Sequence, residues 1–270
     1  FGNDAAKLEK VFANPDKADE LRRLADKYGD KADLFLDNLD GIEDLEHLSG
    51  KFGDDADKLA TVFANPGKAK ELREMTDRLG EDATKMGVVL ENVHNLDDIR
   101  SLSDKFAGNA DRLDAVFQNV DKLDDIKTLS EQVEGDKLDK LLAAPDKLNK
   151  VRTLADEFEF DEQKLDGLVS GLDNLEEIEA LTTRFKGDAS KLDTLYANVD
   201  KVTKVKDIAD KFDAGAAEVD TLFTNFDKLD DLHALTETFK DDQGKLMNVY
   251  LNPEKAADLR FLSDKIKGQE

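Results

Sequence analysis

The sequence predicts an all-α protein: an α-solenoid of about ten 27-residue repeats of two helices each, stacked into an elongated rod or superhelix. Three observations carry that expectation. One pattern, plain in the stretch from Gly108 to Glu134, recurs about ten times with little change in spacing. Within it, two apolar stripes run at helical rather than strand period. Residues that start or stop helices stand between and after the stripes.

Numbering that repeat from Gly108 as position 1, the first stripe is Ala110, Leu113, Val116 and Phe117, at positions 3, 6, 9 and 10. Steps of three and four place these side chains on one face of a short helix. The second stripe, Val120, Leu123, Ile126, Leu129 and Val133, falls at positions 13, 16, 19, 22 and 26 and marks a second helix on the same grounds. At position 12, eight of the ten repeats carry Asn: Asn14, Asn38, Asn65, Asn92, Asn119, Asn198, Asn225 and Asn252. A carboxamide oxygen suits an unpaired amide at a helix start, and Pro15, Pro66 and Pro253 follow it where a missing N–H costs nothing. Helix two is therefore expected to begin there. The Asp of position 14 (Asp16, Asp40, Asp121, Asp146, Asp173, Asp200, Asp227) is the alternative cap, or favours the first turn through the helix dipole. Gly29, Gly53 and Gly80 close their repeats, while Gly108, Gly135 and Gly187 open theirs. A left-handed residue at these points ends helix two before an Asp or Asn starts the next helix. Turns this tight make successive helices antiparallel neighbours.

Along the chain the repeats run 3–29, 30–53, 54–80, 81–107, 108–134, 135–159, 160–186, 187–213, 214–240 and 241–267. The second is three residues short in its first helix and the sixth two. Phe1 and Gly2 match the end of a preceding repeat, and Gly268, Gln269 and Glu270 begin an eleventh. Solenoids usually close with atypical polar repeats and neither end shows one, so residues 1–270 are expected to be a single continuous domain cut from a longer array.

Position 26 is filled by Tyr28, Phe52, Leu79, Phe106, Val133, Phe158, Phe185, Phe212, Phe239 and Ile266. Position 10 is equally large and apolar: Phe12, Leu36, Phe63, Leu90, Phe117, Leu142, Val169, Tyr196, Phe223 and Tyr250. A lone two-helix repeat cannot bury such side chains, so these are core ladders that pack on neighbouring repeats. Position 23 is always small, from Ala25 and Ser49 through Ala155 to Thr236 and Ser263, which implies that helix two approaches another backbone closely there.

Composition narrows the partners. A formal charge of -24 argues against nucleic acid, whose phosphates need clustered Lys and Arg, and against an anionic membrane. Residues such as Lys58, Lys122 and Lys211 are instead interleaved with Asp. Hydrophobic content of 39%, held in register, is too ordered for a disordered acidic tail. No stretch approaches the roughly 20 apolar residues that cross a bilayer. Absence of Cys fits an oxidising exterior without demanding it.

Candidate chemistry is sparse. His47, His94 and His233 sit at positions 21, 14 and 20, share no register, and read as exposed substitutions. Pairs such as Asp124 and Asp125 or Glu176 and Glu177 read as a solvated helix face rather than an acid and base with separated pKa values. No catalytic, cofactor or metal residue is therefore assigned, and no enzyme activity is expected. Recurrent Asp at positions 2, 4, 14 and 17 leaves room for surface calcium, although the nearest loop, Asp37 to Glu46, has Asp40 and Gly41 without alternating ligands. Lys7, Lys58, Lys85, Arg112, Lys164 and Lys191 near position 5, and Lys27, Lys51, Arg78, Lys105, Arg184, Lys211 and Lys265 near position 25, lie beside Asp rows. These either pair locally or match charges between parallel rods.

The expected role is a structural segment of a long surface or extracellular filament, an extended mechanical spacer whose partners are other copies of itself, other proteins or divalent cations. The alternative is a cytoplasmic or periplasmic scaffold that binds a peptide or protein on its concave face. That alternative calls for an exposed patch, placed around Phe226 to Phe261, where Phe261 fills a normally polar position 21.

Overall fold

The computed structural model describes residues 5–29, 32–53, 55–212 and 217–267. Among them all regular structure is helical, with twenty α-helices and no strand. The repeats contribute α1 (Ala5–Ala13) and α2 (Ala18–Tyr28), α3 (Ala32–Asp37) and α4 (Ile42–Phe52), α5 (Ala56–Ala64) and α6 (Ala69–Leu79), α7 (Ala83–Glu91) and α8 (Leu96–Lys105), and α9 (Ala110–Gln118) and α10 (Leu123–Gln132). They continue with α11 (Gly135–Leu142) and α12 (Leu148–Asp156), α13 (Glu162–Ser170) and α14 (Leu175–Arg184), α15 (Ala189–Tyr196) and α16 (Val202–Ala209), α17 (Ala217–Thr224) and α18 (Leu229–Thr238), and α19 (Gln243–Leu251) and α20 (Ala256–Lys267).

Each pair is joined by a single 3-10 turn of three residues, such as Pro66–Lys68 or Val120–Lys122. The two-helix expectation missed this third element. Helix two accordingly begins at position 16, as at Leu96 or Leu175, and not at the Asn of position 12 or the Asp of position 14. The Asn has the opposite duty to the one expected. Asn119 Nδ2 donates to the Ala115 carbonyl at 2.8 Å, Asn65 to Thr61 at 2.9 Å and Asn198 to Thr194 at 2.8 Å, so it closes helix one and makes no side-chain bond to the amides that follow. The backbone explains why. At Asn119, φ -129 and ψ 48 turn its own carbonyl onto the Lys122 N–H at 2.9 Å, and the carboxamide faces back toward the unpaired last carbonyls of α9.

The glycine stops are as expected: Gly29, Gly53, Gly80, Gly108, Gly135 and Gly187 all have positive φ. Between α12 and α13 no Gly is present, and Glu159 and Phe160 take φ of 53 and 56 instead.

The chain divides into two compact halves, Phe1–Lys127 and Thr128–Glu270, with the boundary inside α10. In the first half, α2, α4, α6 and α8 stack through Leu45, Leu48, Leu72, Leu96 and Ile99, all fully buried. Burying each such side chain contributes on the order of 2 kcal/mol. Helix one of the next repeat covers the same stripe: α3 packs on α2, α5 on α4 and α7 on α6. In the second half the same contacts recur as α12 on α13, α14 on α16, α16 on α18 and α18 on α20. Every closely packed helix pair lies one or two helices apart in the chain.

Aromatic contacts reach further. Phe158 meets Tyr196, Phe185 meets Phe223 and Phe212 meets Tyr250, each edge to face with centroids 5.0 Å apart. In every case position 26 of one repeat touches position 10 of the repeat after next. Tyr28 and Phe63 do the same in the first half at 5.3 Å, with Phe35 filling the angle between them. Position 23 is buried in the repeats from Ser49 to Thr236, Ala155 completely, but the group it meets in α14 and α18 is a tyrosine hydroxyl: Thr182 Oγ1 to Tyr196 and Thr236 Oγ1 to Tyr250, both at 2.8 Å. Close backbone approach occurs elsewhere, at Gly167 of α13, where a Cβ would collide with the Tyr196 carbonyl at the end of α15.

Candidate functional site

Charged side chains are organised around helix starts. Asp82, Asp161, Asp188 and Asp242 at position 2 each accept the position-5 backbone N–H at 3.0 to 3.1 Å, capping α7, α13, α15 and α19. Asn109 does this for α9 through Arg112 N–H at 3.1 Å. The lysine at position 5 then links two repeats. Lys85 binds Asp82 at 3.0 Å and Asp114 at 2.7 Å, and Lys191 binds Asp188 at 3.0 Å and Asp220 at 2.6 Å. Lys164 reaches Asp193 at 2.7 Å in the same way. Hydrogen bonds from the lysine side chain, then from the backbone, hold Asp188 below the usual carboxylate range. Asp82 is lowered by the same two contacts with the backbone bond leading, and Lys191 is raised, chiefly by Asp220.

Three further inter-repeat links start from the 3-10 turn and helix two. Position 15 pairs with position 17 of the next repeat, as Lys68 with Asp97 at 2.7 Å. Position 18 pairs with position 20 of the next repeat, as Asp44 with Arg73 at 2.9 Å, Asp98 with Lys127 at 2.6 Å and Asp231 with Arg260 at 3.0 Å. Position 25 pairs with position 24 of the next repeat, as Arg78 with Asp104 at 2.5 Å and Arg184 with Asp210 at 3.3 Å. The lysine and aspartate rows singled out in the sequence thus meet along the stacking direction, inside each half.

The histidines have separate surroundings along the chain. His47 binds Asp77 at 2.9 Å, His233 binds Asp207 at 3.1 Å, and His94 is exposed in its 3-10 turn. Their contact partners are the same aspartate rows that serve Lys and Arg; the hydrogen bond from His47 is the main cause that lowers the Asp77 carboxyl. Among the described residues no three His, Asp or Glu side chains converge as a metal site would require. Within Asp37 to Glu46, Asp37 binds Lys10 at 2.6 Å, Asp44 binds Arg73, and Glu46 binds Arg23 at 3.1 Å. Leu39–Gly41 forms the 3-10 turn there instead of an ion-binding loop. An open groove of about 550 Å³ beside this turn is lined by Lys10, Asn14, Asp37, Asp44 and Lys70 among others, already engaged in part by those pairs.

The outlying surface is that of the last repeat. Phe261 is 60% exposed, as its polar register implies, with Lys265 over its ring at 5.0 Å. Phe226, at the other end of the expected patch, is half-buried against Phe223 at 6.2 Å. Met247 at position 7 and Leu251 at position 11 are 54% and 69% exposed and were missed in the sequence. The signal was present: position 7 holds Asp114, Asp166, Asp193 and Asp220, and position 11 holds Ala64, Gln118 and Ser170 in other repeats. Leu259, Leu262 and Ile266 of α20 are exposed at positions buried elsewhere, as is Phe12 of α1 at 79%.

No helix among the described residues is long and apolar enough to cross a membrane. In comparison with known proteins, no family model, curated protein or solved structure matches the chain.

Proposed function

We propose that the chain is a structural segment of a long filament or fibre protein at a cell surface or outside the cell, an α-solenoid that serves as a mechanical spacer. One observation carries this reading: ion pairs at positions 5, 18 and 25 and the aromatic contact each join several pairs of repeats, and where the charges change, as at Lys150 with Glu176 or Lys204 with Asp230, another opposite-charge pair joins the same helices. Chemistry that is uniform along a chain adds extent without adding sites. The native partners in this reading are further copies of the repeat.

Insertion or deletion of a whole repeat within 160–240 tests the proposal. A spacer gains or loses a constant increment of maximum dimension in small-angle scattering per repeat, and unfolds under force in steps of similar height. A maximum dimension indifferent to repeat number rejects it.

A peptide-binding scaffold is the second reading, and Met247 with Leu251 favours it. Four residues apart, the two lie on one face of α19 and expose large apolar side chains where other repeats have polar or small residues. Screening immobilised amphipathic peptides against the chain and a Met247→Asp, Leu251→Asp variant separates the readings, since only a scaffold loses binding.

A further inference from the structure

The junction between α12 and α13 departs from the rest. Position 1 of the seventh repeat is Phe160, where Gly108 and Gly187 stand elsewhere, and it keeps a positive φ of 56. A bulky side chain is disfavoured in that backbone region and persists only where its surroundings hold it. Here three hydrogen bonds do so: Glu159 N–H donates to the Asp156 carbonyl at 3.1 Å, Phe160 N–H to Ala155 at 2.9 Å and Asp161 N–H to Phe158 at 3.0 Å. The Phe160 side chain is half-buried and lines a groove of about 470 Å³ with Gln132, Glu134, Lys137, Glu162 and Asp166 among others, all within the second half of the chain.

We propose that this groove receives a basic side chain, arginine foremost, from a partner polypeptide, the cation resting on the Phe160 ring with Glu134 and Glu162 as its counter-charges.

Ring and charge together define the occupant. Lys137 is taken up by Asp166, whereas neither Glu134 nor Glu162 has a hydrogen-bond or ion-pair partner for its side chain among the described residues. Glu134 precedes α11 as Asn109 precedes α9, but its carboxylate caps nothing. An anion would meet both carboxylates on a chain of formal charge -24. An apolar occupant would find little beyond the ring, since Val133 and Leu165 in the groove are already only 5% and 2% exposed. A cation is attracted by the ring face, and a planar guanidinium stacks there while its fixed donors reach carboxylates, which an ammonium does less well. Glu134, Lys137 and Glu162 are exposed at the rim, so nothing closes over a small free molecule, and a tethered side chain is the better fit. The groove beside the second repeat makes a contrast: Lys10 and Lys70 line it and no aromatic ring does. The site stands whether or not the array serves as a spacer.

Titration of the full 270-residue chain with the peptide acetyl-Gly-Arg-Gly-amide, followed through backbone amide NMR shifts, reads this binding. Saturable shifts confined to residues 132–137 and 159–166 are expected, weaker with lysine in place of arginine and absent with citrulline, its uncharged isostere. Phe160→Leu keeps apolar volume but loses the ring, and is expected to weaken binding about fivefold, the scale of an exposed cation–π contact. Glu134→Gln combined with Glu162→Gln is expected to weaken it at least as much. Phe160→Gly is the sharper variant: with neither ring nor backbone strain, it is expected to bind least while its melting temperature rises. Equal binding of the citrulline peptide, shifts spread over the acidic surface at large, or full affinity in Phe160→Gly each overturns the proposal. So does the absence of any shift at millimolar peptide.

Discussion

Tyr196 Oη stands 2.8 Å from Thr182 Oγ1, and the same pairing of position 10 with the preceding position 23 recurs at Tyr250 and Thr236. Each threonine hydroxyl also lies within hydrogen-bonding distance of the carbonyl four residues back, at Ile178 and Leu232, so the tyrosine end is held without a buried polar atom left over. Burial pushes both phenols up to about 12, against a smaller opposing pull from the threonine bond. Unfolded tyrosine titrates near 10, so the folded state holds these protons more tightly. The stability so gained is fully present below about pH 10 and drains away as pH rises toward about 12, on the order of 2 kcal/mol per tyrosine at the far end. Thermal melts across that window are expected to show a steeper loss for the parent than for Tyr196→Phe with Tyr250→Phe.

At the acid end the sign reverses. Asp188 is lowered by its lysine and backbone partners, so its contribution is present above the usual carboxylate range and is lost as pH falls through its folded value, below about 4. Asp188→Asn keeps the cap on α15, as Asn109 does for α9, but removes the titration. Its melting temperature is expected to depend less on pH between about 2 and 5 than that of the parent.

Phe185 is 3% exposed and crosses a whole repeat to reach Phe223. Phe185→Ala is expected to cost about 3 kcal/mol in denaturant titration, the usual range for an emptied aromatic site. Phe185→Leu retains apolar volume and is expected to cost less than half as much. Equal losses would show that ring contact is not what the site provides.

The role of Asn119 is decided by which end of its carboxamide matters. As the cap of a following helix it would be replaced by Asp without loss, since both accept. As a donor to the Ala115 carbonyl it cannot be, because a carboxylate has no N–H and would face a carbonyl oxygen. Asn119→Asp is expected to be less stable than Asn119→Ala at neutral pH, with Asn119→Ala itself costing about 1 kcal/mol.

Glu159 occupies left-handed backbone at φ 53 where other junctions place Gly. A non-glycine residue there costs about 1 kcal/mol, so Glu159→Gly is expected to raise the midpoint of unfolding by a corresponding amount. Gly80→Ala, at φ 62, is expected to lower it.

How much of this was legible follows from what each signal encodes. Helical period placed the buried stripe of Leu45, Leu48 and Leu72, and the glycines marked the stops, because both act within a few residues of chain. The 3-10 turn was hidden because Pro, Asp and Lys at positions 13 to 15 compose an ordinary first helical turn as well. Asn119 was read backwards because a carboxamide donates and accepts equally, and only its backbone angles choose. The reach from Phe158 to Tyr196 was out of view since periodicity inside one repeat says nothing of which other repeat it meets. Phe261 was found and Met247 and Leu251 were not, although all three are apolar residues at outward-facing register positions.

The shortened helix α3, six residues against nine in α5, has a practical reading. Tyr28 and Phe63 still clasp at 5.3 Å although thirty-five residues separate them, where thirty-eight separate Phe158 from Tyr196 at 5.0 Å. Helix one of a repeat therefore behaves as an adjustable shim: α3 is three residues shorter than α5, yet the rings on either side of it still meet.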